Sequence, residues 1–339
     1  VDYAIEHGVN YFDTSPVYVQ GMSEKATGIA LARHPRNSYY LATKLSNFQN
    51  YTRENSLAMY RQSFRDLQTD YLDYYLLHSI GGGNGIELFN DRYINNGMLD
   101  FLVKEREAGR IRNLGWSFHG DVKVFDYVLD MGVKWDFVQI QLNYLDWTIY
   151  RSREQYEILT KLGIPVIVME PLRGGALATL NPEATAVFKK ADPAVSTASW
   201  ALRYAASLPN VLCVLSGMTL TEHLEDNIRT FTDFQPLTDA ERKTIEAALA
   251  AAPAEQKPEN TGSKENFLQQ KRDVAEKRTE ERKLAAYRRE IEELEAELAR
   301  VTDELYGDAA SDYIRAAELD DRKTVIEDRL LQLYEWTEE

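Results

Sequence analysis

The stretch Leu72-Asp73-Tyr74-Tyr75-Leu76-Leu77-His78 is a short, aromatic-rich apolar run that stops on a histidine. Runs of the same kind recur on both sides of it. Upstream lie Tyr11-Phe12-Asp13 and Tyr39-Tyr40-Leu41-Ala42-Thr43-Lys44. Downstream lie Asn113 to Ser117, Phe137 to Gln141, Pro165 to Met169 and Val211 to Ser216. β-Branched and aromatic residues in runs of this length read as strands. Between them, Ser23 to His34, Arg53 to Leu67, Gly97 to Ala108 and Val122 to Asp130 read as helices. Strand and helix alternating over ~250 residues imply a parallel sheet, either an open doubly wound sheet or a closed barrel.

Most of these strands end on a polar residue: Asp13, Lys44, His78, Ser117, Gln139 or Gln141, and Ser216. In a barrel, reactive side chains gather at the C-terminal ends of the strands. Strand ends that merely meet water also tolerate polar residues. Three titratable groups of complementary type at strand ends, Asp13, Lys44 and His78, favour the first reading.

The 339 residues carry 39 Lys+Arg against 54 Asp+Glu, a formal charge of −15, which argues against nucleic-acid binding through net charge. Cys213 is the single cysteine, so intramolecular disulfides, zinc knuckles and a self-supplied iron–sulfur cluster are excluded. No run approaches the ~20 apolar residues of a membrane helix. The opening Val1-Asp2-Tyr3 has no basic or apolar leader, so the expected location is the cytoplasm. Composition shifts along the chain: residues 1–256 hold 16 of the 18 glycines and nine of the ten prolines. The expected division is a barrel over 1–252, a Pro- and Gly-containing linker over 253–262 and a helical segment over 263–339.

Several motifs, in order and spacing, resemble the aldo-keto reductases. They are Asp13-Thr14-Ser15-Pro16-Val17-Tyr18, Ala42-Thr43-Lys44, the run ending at His78, Leu114-Gly115-Trp116-Ser117, Val138 to Asn143, Glu170-Pro171-Leu172, Leu215-Ser216-Gly217-Met218 and His223 to Asn227. The resemblance covers residues 1 to about 250. It implies a (β/α)8 TIM-type barrel that reduces a small aldehyde or ketone with NADP or NAD. The family's barrels begin with a strand before the first helix. This sequence opens at Val1-Asp2-Tyr3-Ala4-Ile5 inside that helix, so a barrel lacking its first strand is implied.

By the same resemblance Asp13, Tyr18, Lys44 and His78 form the catalytic tetrad. Carbonyl reduction needs a hydride, a proton for the forming alkoxide and support for its charge. A phenol of ordinary pKa ~10 can supply the proton if a cation stabilises the phenolate. Lys44 beside the Tyr18 hydroxyl would do so. Asp13 would orient Lys44, and a neutral His78 would donate a hydrogen bond to the substrate oxygen. The alternative for Asp13–Lys44 is an ordinary buried ion pair, and for Tyr18 a core aromatic among 20 tyrosines.

No strand is followed by G-x-G-x-x-G; Gly81-Gly82-Gly83-Asn84-Gly85 lacks that spacing and reads as a flexible loop. The resemblance instead places the nicotinamide on Ser117, Gln139 and Met169. It places the pyrophosphate along Leu172 and Ser216-Gly217-Met218, and the adenine end near Asp226 and Asn227. Phe118 stands where many relatives have Asn, and Met169 where many have a stacking aromatic. Gly217 and His223 fall where the 2′-phosphate is commonly held, with no Arg or Lys, so NADP preference rests on the family alone.

From Leu284 apolar residues recur at Tyr287, Ile291, Leu294, Leu298, Val301 and Leu305, spaced 3 and 4 alternately, which is a heptad seam. Tyr306 to Ser311 reads as a turn. A second stripe follows at Leu319, Ile326, Leu330 and Leu333, with Lys323 at one seam position. An antiparallel coiled-coil hairpin is expected, resembling the C-terminal domain of ABC-F ATPases. No G-x-x-x-x-G-K-[ST] accompanies it, so ATP hydrolysis is excluded. Residues 271–289 carry eight basic and four acidic side chains. A solvated helix surface with i,i+4 pairs is the commoner reading of such a run, and a nucleic-acid-facing helix, as in relatives of the hairpin, is the alternative. Protein or nucleic acid is therefore the expected partner of the hairpin. The alternative to an enzyme is a truncated or chimeric, catalytically silent chain that acts through this hairpin.

Overall fold

The computed structural model describes residues 1–82, 85–120 and 122–251, with twelve positions between Ile291 and Arg329. The linker over 253–262, the basic run 271–289, the turn at 306–311 and Gly83-Asn84 lie outside the described residues.

Seven strands form one parallel sheet: β1 (Tyr11–Asp13), β2 (Tyr40–Leu45), β3 (Leu72–Ile80), β4 (Ile111–Phe118), β5 (Phe137–Gln141), β6 (Val166–Met169) and β7 (Val211–Val214). Each pairs with its neighbour in sequence, giving the order β1-β2-β3-β4-β5-β6-β7. A doubly wound sheet would reverse its order at a switch point. Unbroken sequential order is that of a barrel wall, here with β1 and β7 each paired on one side.

The helices in chain order are α1 (Asp2–Glu6), α2 (Ser23–Leu31), α3 (Arg53–Asp66), α4 (Ile86–Phe89), α5 (Met98–Glu107), α6 (Val122–Leu129), α7 (Asp146–Ile149), α8 (Ser152–Leu162), α9 (Pro182–Ala191), α10 (Thr197–Ala206), α11 (Thr221–Phe231) and α12 (Asp239–Ala251). Local chemistry fixes several starts. Thr52, Asn181 and Ser196 accept from backbone N–H groups in the first turns of α3, α9 and α10, and Pro182 opens α9. None of the described helices is long and apolar enough to cross a membrane.

Alternation along the strands sorts side chains into two layers. Leu41, Leu45, Tyr75, Leu77, Trp116, Val138, Ile140 and Val168 join the core against the helices. Their neighbours Tyr11, Ala42, Tyr74, Leu76, Phe137, Ile167, Cys213 and Leu215 meet one another inside the sheet's curve. Gly115 belongs to this inner set, and a Cβ there would stand 2.4 Å from the Phe137 carbonyl oxygen. At the opposite end of the strands, buried Asp73 accepts from Arg36 at 2.7 Å, Arg112 at 2.8 Å and the Leu41 N–H at 3.0 Å. That network ties β2, β3 and β4 together away from the site, where barrel residues serve stability.

The contacts divide the chain into Val1–Ala254 and Glu255–Glu339. In the second unit Val301 and Ile326 are buried, with Ile291, Leu294, Leu298 and Leu319 packed against them. Arg322 donates to Glu297 at 2.8 Å through Nε.

Candidate active site

The inward parity that places Ala42 and Leu76 inside the sheet places Lys44 and His78 at its upper end. Lys44 is fully buried, and its ammonium donates to Asp13 Oδ1 and, at 2.9 Å, to the Thr14 carbonyl. Burial raises the Asp13 carboxyl above its ordinary value, and the Lys44 charge opposes that rise. The second oxygen, Oδ2, is buried with no partner among the described residues. Asp13 in turn helps push the Cys213 thiol up to about 12, behind the larger effect of burial, so Cys213 is an inert thiol.

Tyr18 lies five residues past β1 and is 37% exposed. Its N–H donates to the Ser15 carbonyl at 3.1 Å, and the next two residues adopt left-handed backbone, Val19 at φ 51° and Gln20 at φ 54°. A β-branched residue there is strained. Lys44 Nζ stands 4.7 Å from the centroid of the Tyr18 ring. The ammonium thus meets the Tyr18 ring face, and its bonds to Asp13 and the Thr14 carbonyl leave one N–H to give.

His78 sits between two aromatic rings, Tyr18 at 5.7 Å edge-on and Phe48 at 5.0 Å. Its Nδ1 is 2.6 Å from Ser46 Oγ and 3.4 Å from Ser15 Oγ, and the two hydroxyls are 2.9 Å apart. Burial, assisted by the charges of Lys44 and Arg92, lowers its pKa to about 3. The imidazole is therefore neutral at ordinary pH. Asp13, Lys44, Tyr18 and His78 thus share one mouth on three adjacent strands.

Further round the wall, Ser117 and Gln139 lie opposite each other in register on β4 and β5. Ser117 Oγ accepts the Ser79 N–H at 2.8 Å, which leaves its own proton to give. Gln139 Nε2 donates to Met169 Sδ at 3.4 Å, and Gln139 Oε1 is buried without a partner among the described residues. An orphaned buried acceptor carries a desolvation cost that a ligand N–H would relieve. Phe118 turns outward against Trp116 and Phe125.

The more distant expected positions are held by the fold itself. Leu172 packs against the second core cluster. Asn227 donates to Ser216 Oγ at 2.9 Å, and Asp226 accepts from Ser196 at 2.5 Å and from Arg229 at 3.2 Å. Gly217 is exposed, with open space where a Cβ would be, and Met218 is half-buried. No cluster of His, Cys, Asp or Glu suited to a metal occurs among the described residues.

Sequence reasoning missed Ser15, Ser46, Phe48 and Arg92. The two serines were within reach, since each lies two positions beyond Asp13 or Lys44 and shares its face. Arg92 carries no comparable signal.

The aldo/keto reductase family model matches residues 1–250. The chain belongs to the aldo-keto reductase family. That makes it an oxidoreductase of a family whose substrates are small carbonyl compounds. It is 27% identical to L-galactose dehydrogenase of Arabidopsis thaliana over 257 residues, 69% of this chain and 77% of that protein. The fold is similar to the holo form of an aldo-keto reductase from Bacillus halodurans, with a TM-score of 0.58, 25% identity and coverage of 75% of this chain and 87% of that one. It is also similar in fold to an aldo-keto reductase from Klebsiella pneumoniae solved with NADPH, at TM-score 0.59 and 20% identity, covering 76% and 84%.

Proposed function

We propose that this aldo-keto reductase reduces aldehyde or ketone carbonyls to alcohols, with Tyr18 as the general acid. The observation that carries the reading is the convergence of Asp13, Lys44, Tyr18 and His78 on one barrel mouth. A bound NAD(P)H would supply the hydride to the carbonyl carbon. The orphan acceptor on Gln139 and the free proton of Ser117 fit a carboxamide, and apolar Met169 fits beside a nicotinamide ring. Leu172 and Ser216-Gly217-Met218 would line the pyrophosphate, with Asp226 and Asn227 toward the adenine.

The Tyr18 hydroxyl then gives its proton to the carbonyl oxygen as the alkoxide develops. Lys44 stabilises the phenolate left behind, and the buried Asp13 fixes the ammonium. Neutral His78 donates a hydrogen bond to the same oxygen and orients the substrate. Tyr18→Phe keeps the ring and removes the proton. Turnover of an aldehyde panel should fall at least ~100-fold, with NADPH affinity, read by nicotinamide fluorescence, within twofold of wild type. Unchanged turnover would remove Tyr18 from the role.

A second reading concerns residues 263–339, which we propose form an antiparallel coiled-coil hairpin that contacts protein or nucleic acid. The buried pair Val301 and Ile326, ringed by Ile291, Leu294, Leu298 and Leu319, supports it. Leu298→Asp would place a charge in that seam. The helical circular-dichroism signal should drop while aldehyde turnover stays. Retention of full helicity refutes the seam.

A further inference from the structure

Arg92 is 3% exposed, and among the described residues no carboxylate pairs with it. Burying a charge without a counter-ion is costly, so the surroundings must compensate. Arg92 lies in the middle of a five-residue π-helical turn, Asn90–Ile94, a geometry that recurs at functional sites. Its guanidinium donates to Asn47 Oδ1 at 3.2 Å, to the His78 carbonyl at 2.8 Å and to the Ser79 carbonyl at 3.4 Å. Asn47 answers with Nδ2 to the Arg92 carbonyl at 3.1 Å. The cation's face lies 4.7 Å from the Phe48 centroid, and Phe48 is the ring against His78.

These contacts join the end of β3 to Asn47, two residues past β2, beside the point where the β3–β4 ladder is irregular. The register of β3 against β4 shifts between Leu77 and Ile80, and Ser79 adopts φ 55°. Bulges of this kind re-aim a side chain but leave carbonyls to be satisfied. Arg92 takes the His78 and Ser79 carbonyls on one side and Asn47 on the other. Ser46, adjoining Asn47, is thereby held with its hydroxyl 2.6 Å from His78 Nδ1.

We propose that Arg92 is a positioning residue for His78: it clamps the ends of β2 and β3 so that Ser46 donates to Nδ1 and the proton resides on Nε2, facing the substrate oxygen. The proposal rests on His78 acting as hydrogen-bond donor in carbonyl reduction. Charge works in the same direction. Lys44 from β2, Arg92 from the π-turn and His119 beyond β4 all oppose a second proton on the ring, Tyr18 meets it edge-on, and the Asp13 carboxylate is taken up by Lys44.

The test compares Arg92→Met, Arg92→Lys and Ser46→Ala in the full chain. Long-range proton–nitrogen NMR spectra report which imidazole nitrogen is protonated, with the His78 signals identified by their loss in His78→Gln. Wild type should show a single Nε2–H form. All three variants should show a mixture, Arg92→Lys included, because it keeps the charge but lacks the fork. Their kcat should fall ten- to a hundredfold, with NADPH affinity within twofold. A wild-type tautomer in Arg92→Met, or equal losses of kcat and NADPH affinity, overturns the proposal. Where Arg92→Met does not fold, Ser46→Ala decides by the same tautomer signal. A wild-type protein that reduces no carbonyl overturns the assigned activity, while the tautomer readout still judges the clamp.

Discussion

His78 is buried as a neutral base, and that placement has a cost in acid. Its folded pKa of about 3 lies below the ordinary ~6.5. As pH falls below ~6.5 the unfolded chain takes up a proton that the folded site refuses. Stability therefore drops by ~1.4 kcal/mol per pH unit down to the folded pKa, and above ~7 the group contributes nothing. His78→Gln removes this titration. The variant should gain about 3 kcal/mol relative to wild type between pH 7 and pH 4, measured by urea unfolding at each pH. A difference that does not change with pH would show that His78 takes up its proton as readily in the folded protein as in the unfolded chain. At this scale Asp13, Lys44 and His78 were legible because each ends an apolar run. Arg92 was not, since Asn-Asp-Arg-Tyr-Ile has no periodic signature and its partners lie 13 to 45 residues away along the chain. The Lys44–Tyr18 contact was legible as a pairing but not in its geometry. Which part of the ring meets the ammonium depends on a loop with two successive left-handed residues, Val19 and Gln20.

At the scale of elements, all seven strands lie where the β-rich runs place them; β1 and β5 match at both ends, and no end of the others differs by more than two residues. The helix expected over Ser23 to His34 stops at Leu31. Pro35 disfavours helical backbone in the residue before it, and the chain turns early. Composition alone, with Ala-Leu-Ala-Arg continuing past Leu31, gave no warning. Gly28 on α2 was likewise unreadable as a contact. A Cβ there would stand 2.1 Å from the Asp66 carbonyl oxygen and 2.8 Å from Leu67 Cα, so α2 rides directly on the end of α3. Both obstacles are backbone and cannot swing away. Gly28→Ala should cost about 2 kcal/mol, typical of overpacking, seen as a lower urea midpoint at unchanged slope. Because α2 begins at Ser23, whose hydroxyl is 2.8 Å from Thr14 Oγ1, the same change should also loosen the loop that carries Tyr18. An unaltered midpoint would mean that the helices separate more freely than this contact allows.

For the molecule as a whole, sequence order along the sheet is the feature that separates a barrel wall from a doubly wound sheet; strand–helix periodicity left both open, and only the family motifs pointed to the barrel. Alternation of strand and helix is common to the two, and only strand pairing distinguishes them. The change in composition near Pro253 was legible because Gly and Pro punctuate one part of the chain and are nearly absent from the other. Heptad spacing speaks of which residues can share a seam, and the contacts of Val301 and Ile326 concern the same positions.

Asp13 and Tyr18 hang on a three-residue strand bonded along one side, whereas Lys44 and His78 stand on strands bonded along both. Among the described residues, detaching β1 breaks one ladder, so it opens at a lower free energy than β2 or β3, which are paired on both sides. On the role proposed for Tyr18, opening of β1 among the described residues would undock the proton donor while Lys44 and His78 keep their strands. A substrate that needs Tyr18 binds only the docked fraction, and its apparent affinity is scaled down by that fraction. On that reading, turnover should be lost on warming while β2 to β6 still stand.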